Sequence, residues 1–323
     1  MKPINMLLFC LILCSCGDNS EKARKPEPKK IEKISFKPIT DEIISSAVLY
    51  EANIRQYSNE GTFNAFKEDL PLLKKMGVKI IWLMPINPIS STKSKGPLGS
   101  YYAVSDYTKV NPEFGTLEDF KLLVNKAHQL GMYVILDWVP GHTGWNHVWI
   151  KKHSDYYVKN RKGEIIDPID FRTGKSFGWT DVADLNFNNM EMREDLRQAM
   201  IYWVKEANID GYRIDQAYAI PQDFYDKTFA VLKAIKPIFL LAETDIYHPG
   251  GLGLVSKFNA SYDWPGHHLS KEVAQGQKNA IDYSRHVNRT LRRYGSENIL
   301  VNFVSNHDEN SWNGTIEESY GKA

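Results

Sequence analysis

Cysteine is almost absent from this chain. Its 323 residues include 3 Cys, and all of them (Cys10, Cys14 and Cys16) precede Gly17. The rest of the chain has none, so no disulfide can staple it and its stability has to come from a core. Excess charge of one sign is also lacking. The formal net charge is +1, which argues against nucleic acid as the main partner. Long apolar runs are missing as well. The run from Met6 to Leu13 is too short to span a membrane as a helix, and no later transmembrane segment or tandem repeat is visible. What is present is apolar material for a large core: 42% of residues are hydrophobic.

The N-terminal segment has its own logic. Lys2 precedes the short apolar run, which ends in Leu13-Cys14-Ser15-Cys16-Gly17. This resembles a bacterial lipoprotein signal spanning residues 1–16, with Cys16 as the lipidated first residue of the mature protein; an ordinary secretory signal is the alternative. Residues 17–38 begin rich in Lys, Glu and Pro, with almost no apolar content, and read as a flexible tether. The expected location is the cell envelope, with membrane contact through the lipid anchor only.

From residue 39 to residue 323, short apolar runs alternate with amphipathic helices. Strands are expected at Val48–Asn53, Lys79–Pro85 and Tyr133–Val139, in the runs ending at Asp215 and Glu243, more weakly at Lys257–Trp264, and in the run ending at Asp308. Helices are expected at Thr62–Met76 (Phe63, Phe66, Leu70 and Leu73 at helical spacing), from Thr116 to Gly131, and at Met192–Ala207, Gln222–Ile235 and Ser284–Arg293. Thr116 is a capping residue, with Glu118 and Asp119 in the first turn. Seven strands in β-α alternation argue for parallel βα units. The expected fold is α/β, a TIM (β/α)8 barrel, with an open doubly wound sheet as the alternative. Residues from about 140 to 185 lack periodicity and read as a small inserted domain after strand 3.

Three apolar runs end in an acid: Asp215, Glu243 and Asp308. If their strands share one parallel sheet, the three carboxylates converge at its C-terminal edge, where such folds do chemistry. Two carboxyl groups across a glycosidic bond can hydrolyse it. A guanidinium at Arg213 is expected to keep Asp215 ionised and low in pKa. Partial burial and nearby negative charge are expected to raise Glu243.

The flanking residues carry a family resemblance. Asp137-Trp138-Val139-Pro140-Gly141-His142, Gly211-Tyr212-Arg213-Ile214-Asp215, Ala242-Glu243-Thr244 and Phe303-Val304-Ser305-Asn306-His307-Asp308 resemble the motifs of glycoside hydrolase family 13, the α-amylase family. The match runs from about Val48 to Asp308, and α-amylase-type lipoproteins of the Bacteroidota look most alike. The resemblance implies Asp215 as nucleophile, Glu243 as general acid/base and Asp308 as transition-state stabiliser. It implies Tyr102 stacking on the sugar and His142, Arg213 and His307 as substrate-binding residues, with Asp137 supporting the arginine. Trp145, Trp149 and Trp179 in the insertion are sugar platforms or small-domain core.

The implied activity is retaining hydrolysis of α-1,4-glucosidic bonds in starch-like glucans or maltooligosaccharides. Another α-glucan activity of the family (an α-1,6-glucosidase or a glucanotransferase) is the near alternative, and a non-catalytic glucan-binding lipoprotein the distant one. The family often has an Asn that binds calcium just before the first-motif His; here it is Gly141. No cofactor is expected to be obligatory. Ca2+ stays possible, with Asp184 a lone candidate ligand, but its usual site looks depleted. Tyr218 and Ala219 replace the family's frequent Lys-His, which puts acceptor-side specificity in question. The sequence reaches Ala323 shortly after Asp308, so the barrel is expected to lack its eighth βα unit.

Overall fold

The computed structural model describes residues 36–170, 173–295 and 298–321. The expected lipid-attachment site at Cys16, and most of the expected tether, lie outside them. Seven strands form one sheet: β1 (Val48–Ala52), β2 (Val78–Leu83), β3 (Tyr133–Trp138), β4 (Gly211–Ile214), β5 (Phe239–Ala242), β6 (Ala260–Tyr262) and β7 (Ile299–Val301). Their spatial order is their chain order, and every pairing is parallel. This is the strand arrangement of a (β/α)8 barrel, seven of whose strands lie in the described residues. Among these residues no ladder joins β1 to β7, and a groove of about 660 Å³ lies between them.

The continuous apolar runs follow from a sheet buried on both faces. Side chains alternate along each strand. Ile80, Trp82, Tyr133, Ile135, Phe239, Leu241, Ala260 and Tyr262 form one cluster, inside the curved sheet. Ile81, Leu83, Val134, Leu136, Tyr212, Ile214, Leu240 and Ala242 belong to a second cluster shared with the helices. The helices that contribute to it include α1 (Phe63–Glu68), α2 (Leu70–Lys75), α3 (Leu117–Gln129), α4 (Met190–Glu206) and α5 (Gln222–Ile235); α6 (Trp264–Ala274), α7 (Ala280–Tyr294) and α8 (His307–Trp312) follow in the chain. Gly211 is required where it stands: a Cβ there would lie 1.9 Å from the Phe239 carbonyl oxygen.

Several elements differ from expectation. The helix expected over Thr62–Met76 is two helices broken at Asp69, because Pro71 cannot donate a backbone hydrogen bond and its ring would crowd the Lys67 carbonyl. The strand expected to run on to Asp308 ends at Val301. Asn306 instead caps α8, its side chain accepting from the Glu309 amide at 2.8 Å, and Asp308 sits in the first helical turn. The weak strand expected to reach Trp264 ends at Tyr262, and α6 begins at Trp264, capped by Asp263. Helix α7 starts earlier than periodicity suggests, at a capping box of Asn279 and Asp282.

The insertion after β3 is built on a small antiparallel pair, His142–Gly144 against Val182–Asp184. The Leu185 amide donates to the Gly141 carbonyl at 3.0 Å and closes it. Tyr107 pins its near end, donating from its hydroxyl to the carbonyls of Val139 (2.7 Å) and His142 (3.1 Å).

Candidate active site

Strand register sets the site. Asp137 is paired directly with Arg213 across β3 and β4, and Ile214 with Ala242 across β4 and β5. The residues that follow those paired positions, Asp215 and Glu243, therefore leave the sheet at the same level. Arg213 points to the inner face and is fully buried. Its Nη1 lies 2.9 Å from Asp137 Oδ1 and 2.8 Å from Asp215 Oδ1, and its Nη2 lies 2.5 Å from Glu243 Oε1. The contact to Glu243 is an ionic approach without hydrogen-bond alignment. One guanidinium thus holds three carboxylates at the C-terminal edge of the sheet.

The rest of the implied set gathers around this arginine. The Tyr102 hydroxyl donates to Asp137 Oδ2 at 3.0 Å and lies 2.8 Å from His307 Nε2. The Tyr102 and His307 rings stack at 5.4 Å. Trp82 Nε1–H donates to Asp137 Oδ2 at 3.3 Å, giving Asp137 a third partner. Asp308 Oδ2 lies 3.4 Å from His307 Nε2. A cleft of about 570 Å³ is lined by Tyr102, His142, Asp215, Glu243, His307 and Asp308, a size that suits a small-molecule site. All eight residues implied as catalytic, substrate-binding or supporting are thus brought to one place: six line the cleft, and Arg213 and Asp137 lie behind it.

Electrostatics separates the acids. Burial pushes Asp137 and Asp215 up to about 6, with Arg213 opposing. The expectation of a depressed Asp215 is therefore corrected: Asp137 shares the same guanidinium, and the loss of solvent outweighs what is left of it. Burial carries Glu243 further, to about 7, with the charges of Asp215 and Asp308 adding to the rise and Arg213 opposing it. Of the three, Glu243 holds its proton to the highest pH. Burial drops His142 to about 4, so it is a neutral imidazole at pH 7. Its Nδ1 has no hydrogen-bond partner among the described residues.

Two contributors carried no sequence signal. Gln216 adopts a left-handed backbone (φ 42°) immediately after Asp215, and its amide donates to Glu243 Oε2 at 2.7 Å. A strained non-glycine residue of this kind costs energy and persists where a site holds it. Glu51, at β1, accepts from the His307 backbone at 3.2 Å and lies 2.6 Å from its Nδ1. Beyond Glu243 lies a second cleft of about 460 Å³, lined by Tyr218, Asp245, His248, Trp264 and His268. There Tyr218 stacks on His248 at 4.7 Å, and Asp245 holds that histidine at 3.1 Å. Gln216 and Glu243 line both clefts.

The three insertion tryptophans divide. Trp179 lines the first cleft, its ring 6.2 Å from His142. Trp149 packs among Tyr107, His147 and Tyr156, and Trp145 donates to the Thr180 carbonyl at 2.9 Å under Lys93.

The donor set for a cation is thin. Gly141 contributes no side chain, and Asp184 is pushed up to about 7 by burial and the neighbouring Asp167 charge. Among the described residues no group of three or more His, Cys, Asp or Glu could hold a metal ion. Gly141 and Asp184 therefore do not make up a side-chain calcium site.

The family model "Alpha amylase, catalytic domain" matches residues 35–319. Alpha-amylase 3 of Dictyoglomus thermophilum is 30% identical over 223 residues, covering 61% of this chain and 43% of that protein. An alpha-glucosidase of Apis mellifera is 26% identical over 251 residues, covering 68% and 40%. A crystal structure of an alpha-amylase from Lactobacillus plantarum superposes with a TM-score of 0.75 at 30% identity, covering 83% of this chain and 64% of that one. This chain therefore spans under half the length of these two curated relatives.

Proposed function

This chain belongs to the alpha-amylase family of glycoside hydrolases, and we propose that within it the protein is a retaining hydrolase of α-1,4-glucosidic bonds in starch-like glucans or maltooligosaccharides. The observation that carries the reading is the Arg213 bridge between Asp215 and Glu243. A nucleophile and an acid/base held on one planar guanidinium stay close together. That favours the short retaining separation of about 5–5.5 Å over the wider gap that admits an attacking water.

In the first step Asp215 attacks the anomeric carbon and Glu243 gives its proton to the glycosidic oxygen. The C–O bond breaks, the leaving sugar departs as an alcohol, and the glycosyl group is an ester of Asp215. In the second step Glu243, now ionised, takes a proton from water. The oxygen attacks the same carbon and Asp215 is released. Arg213 limits the cost of gathering carboxylates in a buried site, and Asp137 keeps it aimed. Asp308, His307 and the neutral His142 bind hydroxyls of the sugar undergoing cleavage, and Tyr102 stacks against it.

The two clefts give the site a direction. An acid/base must stand between the sugar that is attacked and the group that leaves. The cleft with Asp215, His142 and Tyr102 takes the donor sugar, and the Tyr218–His248–Trp264 cleft takes the leaving group. A close family alternative, transfer to a second sugar in place of water, uses the same residues and differs in what occupies that second cleft. The reading further places the mature protein on the cell envelope through lipid at Cys16, and needs no obligatory cofactor.

The test is product analysis on starch, maltooligosaccharides and isomaltose with Asp215→Asn as control. Asp215-dependent release of maltooligosaccharides from starch is expected. Predominant transfer products would favour the transferase alternative, and starch binding without Asp215-dependent products would favour a binding protein.

A further inference from the structure

We infer that Glu51 is a positioning residue for the reaction, clamping both the backbone and the ring of His307 so that the turn carrying Asp308 stays aimed into the cleft. This rests on the proposed function for its consequence, but not for its geometry.

The two ends of the clamp come from elements that no ladder connects among the described residues. Glu51 belongs to β1, and His307 opens α8, after β7. Glu51 Oε2 accepts from the His307 amide at 3.2 Å, and Oε1 lies 2.6 Å from the ring Nδ1. Two contacts from one carboxylate fix both the position of the helix start and the rotation of the ring. Side-chain exposure of 16% for Glu51 and 15% for His307 keeps the pair largely out of water, where a charge-assisted hydrogen bond is strong.

The other ring nitrogen faces the chemistry. Nε2 lies 2.8 Å from the Tyr102 hydroxyl, which donates to Asp137, which holds Arg213. The groups facing His307 are Glu51 from β1, Trp82 from β2, Tyr102 from the loop that follows, Asp137 from β3, Arg213 from β4 and Asp308 beside it. Burial alone would lower His307. The Glu51 hydrogen bond and charge outweigh it, Arg213 opposes and Asp308 assists, so the net shift is upward. A protonated ring donates from both nitrogens: Nδ1–H to Glu51, and Nε2–H to Tyr102 or to a substrate hydroxyl. Its charge also lowers Asp137 and Asp215, which favours an ionised nucleophile.

The experiment compares wild type with Glu51→Gln and Glu51→Asp in the full chain. Gln keeps an acceptor for Nδ1–H but removes the charge; Asp keeps the charge on a shorter arm. The first readout is the NMR titration of the His307 ring, identified by its loss in His307→Gln. Glu51→Gln is expected to lower its pKa by about one unit or more. The second readout is the pH profile of kcat/KM on a maltooligosaccharide. Here Glu51→Gln is expected to move the acid limb upward, because Asp215 loses the help of a charged neighbour, and to cut the maximum roughly tenfold. Glu51→Asp is expected to restore the acid limb. An unchanged His307 titration, or an unmoved acid limb at wild-type rate, would overturn the inference. The titration needs no substrate, so absent glucan hydrolysis in wild type would count against the proposed function and leave the clamp decided by the ring.

Discussion

Arg213 lies 2.5 Å from Glu243 through Nη2 while its Nη1 lies 2.8 Å from Asp215. The two acids therefore share one cation and sense each other's charge. When Asp215 is ionised, Glu243 is harder to deprotonate, and burial reinforces this. Glu243 reaches about 7 and Asp215 about 6. The nucleophile must be ionised and the acid protonated. The kcat/KM profile is accordingly expected to be bell-shaped, falling below about pH 6 and above about pH 7. A rate that keeps rising from pH 7 to pH 9 would contradict these roles.

The same shift has a consequence for stability. Glu243 binds its proton more tightly in the folded protein, its pKa rising from 4.5 to about 7. Its contribution to stability is full below the unfolded value and is lost as pH rises through the folded one. Gln cannot ionise, so Glu243→Gln should unfold at nearly the same denaturant concentration as wild type at pH 4. At pH 8 it should be more stable than wild type by about 1–3 kcal/mol. Denaturant melts at the two pH values check this; equal stability at pH 8 would count against the buried acid.

Close strand packing beneath the site gives a second stability test. A methyl group at residue 211 would lie 1.9 Å from the Phe239 carbonyl oxygen. Overpacking of this kind is expected to cost Gly211→Ala about 2–3 kcal/mol. It should also reduce activity, because Arg213 lies on the same strand and Asp215 directly follows it. A thermal melt indistinguishable from wild type would show that β4 and β5 are farther apart than described.

Much of this arrangement was legible in the sequence, and the exceptions have physical causes. The strands beneath Asp215 and Glu243 read clearly because a sheet buried on both faces demands unbroken apolar runs. The largely apolar Ile299–Val304 suggests a strand running on to Asp308, yet Asn306 is a helix cap and makes Asp308 a first-turn residue. The lowered pKa expected for Asp215 counted the arginine but not the competing Asp137. Glu51 and Gln216 were invisible. Glu51 sits in a short, partly exposed strand with no motif around it, and Gln216 contributes a backbone amide whose direction depends on a left-handed conformation that no glycine announces.

The second cleft predicts how leaving groups are handled. Removing the Tyr218 ring strips one face of the Tyr218–His248 stack. Tyr218→Ala is expected to raise KM for long maltooligosaccharides roughly five- to tenfold, the loss of about 1–1.4 kcal/mol of stacking. It should change little for an aryl maltoside whose leaving group is small and good. Equal losses on both substrates would place Tyr218 on the donor side instead.

The most direct test of the account is the anomeric form of the first product. Proton NMR during the first minutes of maltooligosaccharide hydrolysis, before mutarotation, separates the two outcomes. Two displacements by the Asp215–Glu243 pair predict the α-anomer first. The β-anomer as the first product would require a single displacement by water, and would contradict the assignment of Asp215 as nucleophile.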